Sequence, residues 1–483
     1  MPTKTTFTFD NSYLRLPAAF YSLVKPTALR RPVLYLFNEP LCAELGVDPG
    51  NPVQVIDSLL AEAALQSSSS FAQAYAGHQF GSFTRLGDGR AIVLGEQLNT
   101  AGERFDIQLK GSGRTPYSRG GDGKATLYAM LREYLISEAM HHLGVPSSRS
   151  MAVLQTGESV QREVPHQGAA LLRVMRSHLR VGTFQYAAYL RNADELQALL
   201  QYTIERLYPE LANDDNPALA LFYRVMDQQI TLVVNWMRVG FIHGVMNTDN
   251  TSISGETFDY GPCAFLNAYH PARVYSSIDQ QGRYAFGNQP NIIKWNLARF
   301  AEALLPILHA EKDSAIALAQ DALDGFDARW QGQYNRVMLQ KIGFEEVQAA
   351  HLDLLHRLLK LMEQHRLDYT NTFASLCYPE LYQEFIPDHA DYKDWQHDWQ
   401  NAITNSKGLE DARELMRQAN PLYIPRNHGV EAALQAAING NRQPFDELLQ
   451  VLSQPYQAQA GREAYLQPDV ASFEADYQTF CGT

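Results

Sequence analysis

No stretch of this chain approaches the roughly 18 consecutive apolar residues that a membrane-spanning helix needs. Its opening, "MPTKTTFTFDNSYLRLP", lacks the apolar core of a secretory signal and the arginine-rich, acid-free pattern of a transit peptide. The expected location is therefore the cytoplasm, with no membrane partner. Cysteine is scarce: Cys42, Cys263, Cys377 and Cys481 are the four in 483 residues, and none are spaced C-x-x-C. That argues against a structural zinc site and against a disulfide framework. Basic charge is also in deficit. Lys and Arg number 40 against 53 Asp and Glu, giving a net charge of −13. Such a chain repels phosphate backbones, so nucleic acid is not an expected partner.

What is present reads as a globular chain, 45% apolar and 19% charged, with a sizeable core. Residues 1–70 read as an N-terminal adapter segment of short apolar runs and prolines, ending in "SSSS". Residues 71–185 are strand-rich. "GRAIVLGEQ" and "RFDIQLKGSG" alternate as strands do, with "LNTAGE" as the hairpin loop between them. "MAVLQTGESVQRE" and "GAALLRVMRS" predict two more strands. Between these pairs, 125–144 carries apolar residues at helical spacing and closes on Gly144 and Pro146. From 186 onward the pattern predicts helices over 194–207, 217–239, 291–310, 313–324, 328–340, 344–364 and 408–418. The fold class expected is α+β.

The helices are interrupted by "GVMNTDNTSISGETFDYGPCAF", residues 244–265. Here "TSIS" and "ETFD" are expected to pair around Gly255, bringing Asn250 near Asp259. A carboxylate plus an amide oxygen suits Mg²⁺, which takes few protein ligands and keeps water or phosphate oxygens for the rest. Asp249 is then left to accept a proton from a nucleophile. "DYG" at 259–261 has the form of the metal-binding D-F-G of protein kinases, and 243–250 the place of their catalytic loop. The spacing differs, because Asp249 and Asn250 are adjacent. The plain alternative is that both acids are turn residues.

Four upstream features weigh against that alternative. Lys110 ends an apolar strand and Glu133 follows within the predicted helix, the arrangement of a phosphate-gripping lysine and its ion-pair partner. Gly87 and Gly89 make a tight turn whose amides can approach phosphate, and Arg90 adds a cation. The glycine-dense loop 111–123 can cradle an anion at Asp122-Gly123, or Asp122 can simply cap the helix. Arg173, Arg176 and Arg180 form a local basic cluster, read either as a solvated face or as phosphate clamps. Together they describe a nucleotide site between two lobes. They do not fix whether the α- or the γ-phosphorus is attacked.

The sequence resembles the selenoprotein O family of kinase-like protein adenylyltransferases. The resemblance is carried by "YAGHQFG" (75–81), "LGDGRAIVLGE" (86–96), "QLKGSGRTPYSRGGDGKATL" (108–127) and "SHLRVGTFQY" (177–186). It continues in "GFIHGVMNTDNTSISGETFDYGP" (240–262), "NQPNIIKWNLARFAEAL" (288–304) and "NPLYIPRNH" (420–428). It implies a protein-kinase-like bilobal fold, with an N-lobe over 71–185 and a helical C-lobe over 186–483 that holds a catalytic loop at 243–261 and a helical extension. It implies transfer of AMP from ATP to Ser, Thr or Tyr hydroxyls of protein substrates, with Mg²⁺, or Mn²⁺ in its place.

By the same resemblance Asp249 is the proton acceptor, Asn250 and Asp259 hold the metal, and Lys110 is the phosphate-contacting lysine paired with Glu133. Gly87, Gly89, Arg90, Asp122, Gly123, Arg173, Arg180 and Asp259 fall at ATP-contact positions. Many bacterial members carry a cysteine near the C-terminus, which suggests redox control through Cys481, with Cys263, Cys377 or Cys42 as partner. A true kinase and a catalytically silent pseudokinase that binds nucleotide are the alternatives. Oligomeric state is not legible.

Overall fold

The computed structural model describes residues 7–65, 69–406 and 408–480. Its principal sheet has eight strands. The two alternating segments form Ala91–Leu98 and Arg104–Lys110, paired antiparallel with Ala91 opposite Lys110. Pro165–Met175 lies on the other side of the lysine strand, and Arg149–Gln161 follows it. Both edges come from the N-terminal segment: Tyr21–Leu23 at one, through Phe71–Gln73, and Val33–Phe37 at the other. The stretch expected to be an adapter is thus woven into the sheet.

Strand periodicity sorts the side chains onto two faces. Ile107 and Leu109 stand opposite Val174 and Leu172 in register. They pack with Leu41, Leu45, Ile56 and Leu59 of the preceding helical turns. Each such buried aliphatic contributes about 1.5–3 kcal/mol relative to exposure. Gln108 and Lys110 fall on the other face, and Arg173 stands directly opposite Gln108. The helix Leu127–His142 covers that face, burying Leu131, Leu135 and Ala139 with Val93, Val153 and Leu171. The alternation of the strands therefore delivers three polar side chains beneath one helix.

The remainder is helical. Pro217–Val239 starts on Asn216, whose side chain accepts from the Leu219 amide, with Pro217 at its first turn. It packs on Gln289–Leu308, and the helices expected over 194–207, 313–324, 328–340 and 408–418 form as Ala193–Leu207, Lys312–Asp324, Phe326–Gln340 and Leu409–Ala419. The segment expected to be helical from 344 begins at Ala349. Helices at Val181–Tyr189, Tyr369–Cys377, Ala390–Ser406, Asn427–Ile438 and Gln443–Leu452 were not anticipated. Among the described residues no helix is long and apolar enough to cross a membrane.

Candidate active site

The loop after Pro217–Val239 does not fold as the expected hairpin. Residues 251–254 and 256–259 form no ladder with each other. "TSIS" bridges outward from Ser252 to Arg180, and "ETFD" from Thr257 to Ser147. The pair that closes the loop lies outside it, Phe241–Ile242 against Ala264–Phe265. Asp249 and Asn250 sit in a short 3-10 turn, and Asp259 takes a left-handed backbone with φ 63°. Each side of the loop is tied to a different neighbour, and the acids still face one space. Arg90, Lys110, Glu133, Asp249, Asn250 and Asp259 all line a single cleft of about 440 Å³, within the usual range of roughly 300–1,000 Å³ for small-molecule sites.

At its base two cations alternate with two carboxylates. Lys110 Nζ donates to Glu133 Oε2 at 2.6 Å and also to Asp259 Oδ1. Arg173 donates to the same Asp259 oxygen at 2.6 Å and to Glu133 Oε1 at 3.2 Å, and its other guanidinium nitrogens hold Gln108. Lys110, Glu133 and Arg173 are buried, whereas the Asp259 side chain keeps 30% exposure. Enclosure acts to raise the Asp259 carboxyl. Lys110 and Arg173 outweigh it and hold the group well below the usual carboxylate range.

Asp249 is the opposite case. Burial pushes its carboxyl up to about 6, against the pull of Arg180. Its Oδ1 is buried without a hydrogen-bond partner among the described residues. Gly77 of "YAGHQFG" explains how the carboxylate fits: a Cβ there would fall 2.3 Å from Asp249 Oδ1. The same strand fixes the loop. The His78 amide donates to Thr248 Oγ1 at 2.7 Å, and the Phe80 amide to Asn247 Oδ1 at 3.1 Å. Thr248 in turn donates to Gln185 Oε1.

Asn250 Nδ2 donates to Val245 O at 3.1 Å, which fixes the amide and leaves its oxygen on the opposite side. With Asp259 it offers an oxygen-only donor pair, which fits a hard divalent cation completed by phosphate and water. Among the described residues no group of three or more His, Cys, Asp and Glu could hold a metal without such help.

The other predicted residues do not line the open cleft; Arg173 lies beneath it, behind Asp259. Arg173 and Arg180 are buried, Arg180 with its guanidinium 4.0 Å over the Tyr75 ring and 3.6 Å from Asp88. A Cβ on Gly87 would sit 2.4 Å from the Tyr117 ring, so this glycine lets the loop 111–123 fold onto its turn. The Gly89 backbone packs on the same tyrosine. Asp122 does not cap the helix. It accepts from the Lys124 amide at 2.9 Å and pairs with Arg162 at 2.8 Å, and the cap is Thr126. The Gly123 carbonyl accepts from Gly113.

Some supporting residues gave no sequence signal of their own. Gln108 and Asp88 brace Arg173 and Arg180, and neither belongs to a cluster of like residues. Arg132 pins the loop's far end, donating to Gly261 O at 3.2 Å, Cys263 O at 2.7 Å and Glu431 at 2.9 Å. Its position one residue before Glu133 was the available clue. A larger hollow of about 740 Å³ adjoins the cleft and shares Tyr128, Arg132, Gly261 and Phe480 with it. Neither aspartate of the loop, nor Asn250, lines it, so the chemistry is assigned to the smaller space. Cys42, Cys263 and Cys377 are buried free thiols, and Cys481 lies outside the described residues.

A strand lysine ion-paired to a helix glutamate, below a loop bearing a raised acid and an oxygen donor pair, defines a kinase-like nucleotide-dependent transferase. The chain belongs to the SelO family of protein adenylyltransferases: the family model described as "Protein adenylyltransferase SelO" matches residues 3–453. It is 49% identical over 485 residues to a relative from Alkaliphilus metalliredigens named protein nucleotidyltransferase YdiU, covering 99% of this chain and 98% of that one. A relative of the same name from Geobacillus kaustophilus is 50% identical over 480 residues, with 98% and 99% covered. Among solved structures, the ROP18 kinase domain in complex with AMP-PNP and sucrose aligns with 69% of this chain and 86% of its own at 15% identity. Its TM-score is 0.25. The chain is a nucleotidyltransferase of that family.

Proposed function

We propose that the chain moves AMP from ATP to a Ser, Thr or Tyr hydroxyl of a protein substrate and releases pyrophosphate. The observation that carries this reading is Asp249: an enclosed carboxyl with an unpartnered oxygen, lining the same cleft as Lys110, Asn250 and Asp259. Asp249 takes the proton of the acceptor hydroxyl. The hydroxyl oxygen bonds to the α-phosphorus as the bond to the bridging α–β oxygen breaks, and pyrophosphate leaves. Lys110 meets the phosphates, held in place by Glu133, while Arg90 adds positive charge at the cleft wall. Arg173 and Arg180 supply the field behind it, and Gly87, Gly89, Asp122 and Gly123 shape the loops that close over ATP. A divalent cation on Asn250 and Asp259, taken as Mg²⁺ with Mn²⁺ as the substitute, would neutralise phosphate charge. Residues 71–185 and 186–483 are taken as the two lobes, with 1–70 completing the first, and the cytoplasm as the place of work.

The same parts would serve attack at the γ-phosphorus, so geometry does not choose between phosphates; family membership favours the α. Incubation with α-labelled ATP is expected to label protein, and γ-labelled ATP not to. Label arriving only from the γ position would make the chain a kinase. Stabilisation by ATP with no label from either position would make it a silent binding module.

A further inference from the structure

One face beside Asp249 is unused by the chemistry above. The hairpin Ala76–Gln79 and Ser82–Arg85 pairs Ala76 with Arg85 and Gln79 with Ser82. Its two turn residues, Phe80 and Gly81, both have positive φ, 49° and 86°. This is the primed turn that favours Asn-Gly. A bulky aromatic in the left-handed region is strained, and such strain is a pointer to function. Phe80 is nonetheless placed there, 41% exposed and lining the cleft, while its amide holds Asn247.

The aromatic surface continues from this tip. Phe83 and Tyr189 are 43% and 49% exposed, with ring centroids 5.8 Å apart. The His78 ring meets Phe83 at 5.4 Å and Trp295 at 5.3 Å. Arg85 lies 5.6 Å over Tyr189 and Arg283 lies 4.8 Å over Trp295, and neither makes an ion pair among the described residues. Arg299, also over Trp295, is neutralised by Glu302 at 2.6 Å. On a chain of net charge −13, two arginines without an ion pair among the described residues, one over the exposed Tyr189 ring and one over the half-buried Trp295 ring, are a local inversion of charge on the face that Phe80 joins to the cleft.

We propose that this face docks the acceptor polypeptide. It takes a segment whose hydroxyl residue is flanked by an apolar side chain, seated on Phe80 and Phe83, and by carboxylates that meet Arg85 and Arg283. The proposal rests on the adenylyl-transfer reading and names the substrate class for it. Aromatic anchors with an arginine rim are the usual makings of a recognition surface. Continuity with the cleft through Phe80 places the docked hydroxyl beside Asp249.

The test uses the full chain and two fluorescein-labelled peptides. Each has a serine between leucine and phenylalanine; one ends in glutamates, the other in lysines. Anisotropy measures binding, α-labelled ATP measures transfer, and thermal shift with ATP and Mg²⁺ measures the nucleotide site. The glutamate peptide is expected to bind and react with an advantage of about tenfold, lost in Arg85→Glu and in Arg85→Glu/Arg283→Glu, with the ATP-induced shift unchanged. Phe80→Asn is expected to raise the melting temperature, since it suits the turn, yet to raise KM for the glutamate peptide. Equal use of both peptides, survival of the preference in Arg85→Glu, or an unchanged KM in Phe80→Asn overturns the proposal. So does displacement of the glutamate peptide by a single-stranded oligonucleotide that binds in its place. Charge-selective binding with no AMP on either peptide would instead count against the adenylyl-transfer reading.

Discussion

At the scale of single residues, the two aspartates of the loop are made different by what surrounds them. Asp259 is held ionised by Lys110 and Arg173; Asp249 is lifted to about 6 by burial. A base must be ionised to accept a proton, so kcat/KM is expected to rise with pH through about 6 and level off above it. Stability runs the other way. A carboxyl whose folded value lies above its unfolded 3.8 contributes stability that is present below 3.8 and lost as pH rises through about 6. The difference corresponds to about 3 kcal/mol at its upper limit. Asp249→Asn is therefore expected to melt higher than the parent at pH 8 and no higher at pH 4, while losing about 10²–10⁴-fold in transfer. It should keep its thermal shift with ATP and Mg²⁺. Asp259→Ala should lose that shift, having lost a metal ligand and the partner of two buried cations. If both variants lose nucleotide stabilisation equally, the division of labour between the acids is wrong.

At the scale of elements, the lysine strand and the glutamate helix were legible because their periods are local. Alternation over 104–110 and helical spacing over 127–142 need nothing from elsewhere. The loop between Asp249 and Asp259 was misread because its pairing is not local. Gly255 invites a hairpin, but the backbone groups on either side find Arg180 and Ser147 instead. Of the two readings of Asp122, the helix cap fails because a short strand, Ala125–Thr126, intervenes before the helix. Ala390–Ser406 was missed although Tyr392, Trp395, Trp399 and Ile403 are buried at helical spacing, because Asp, His and Gln surround them. Arg132 ties the helix to the loop through Gly261 and Cys263, a link visible only in three dimensions. Arg132→Ala is expected to destabilise the fold by about 2–4 kcal/mol, since two carbonyls and Glu431 lose a buried cation. It should also lower kcat more than it changes acceptor KM, because it loosens the Asp259 side of the cleft. A normal kcat in a protein that melts as the parent does would contradict that role.

At the scale of the whole molecule, the acidic balance that argued against nucleic acid conceals buried cations at the site, each set against a carboxylate: Lys110 and Arg173 against Glu133 and Asp259, Arg180 against Asp88. Lys110, Arg173 and Arg180 are all buried there, so net charge describes the surface and not the cleft. Composition was silent on this because charge counts do not record depth. A chain of this length is ordinarily expected to unfold in parts, lobe by lobe. Its core argues otherwise. One continuous buried cluster contains Phe20 from the N-terminal segment, Val93 and Leu131 from the sheet and its helix, Val225 and Phe300 from the helical half, and Leu434 and Phe445 from the C-terminal helices. No lobe can open without exposing residues that the other buries, so the expected calorimetric scan is a single transition. ATP with Mg²⁺, binding in the cleft between the sheet and the loop, should then raise that transition as a whole, by about 2.7 kcal/mol at a hundredfold excess over Kd. Two separated transitions, with only the earlier one moved by nucleotide, would mean that the shared cluster does not couple the lobes.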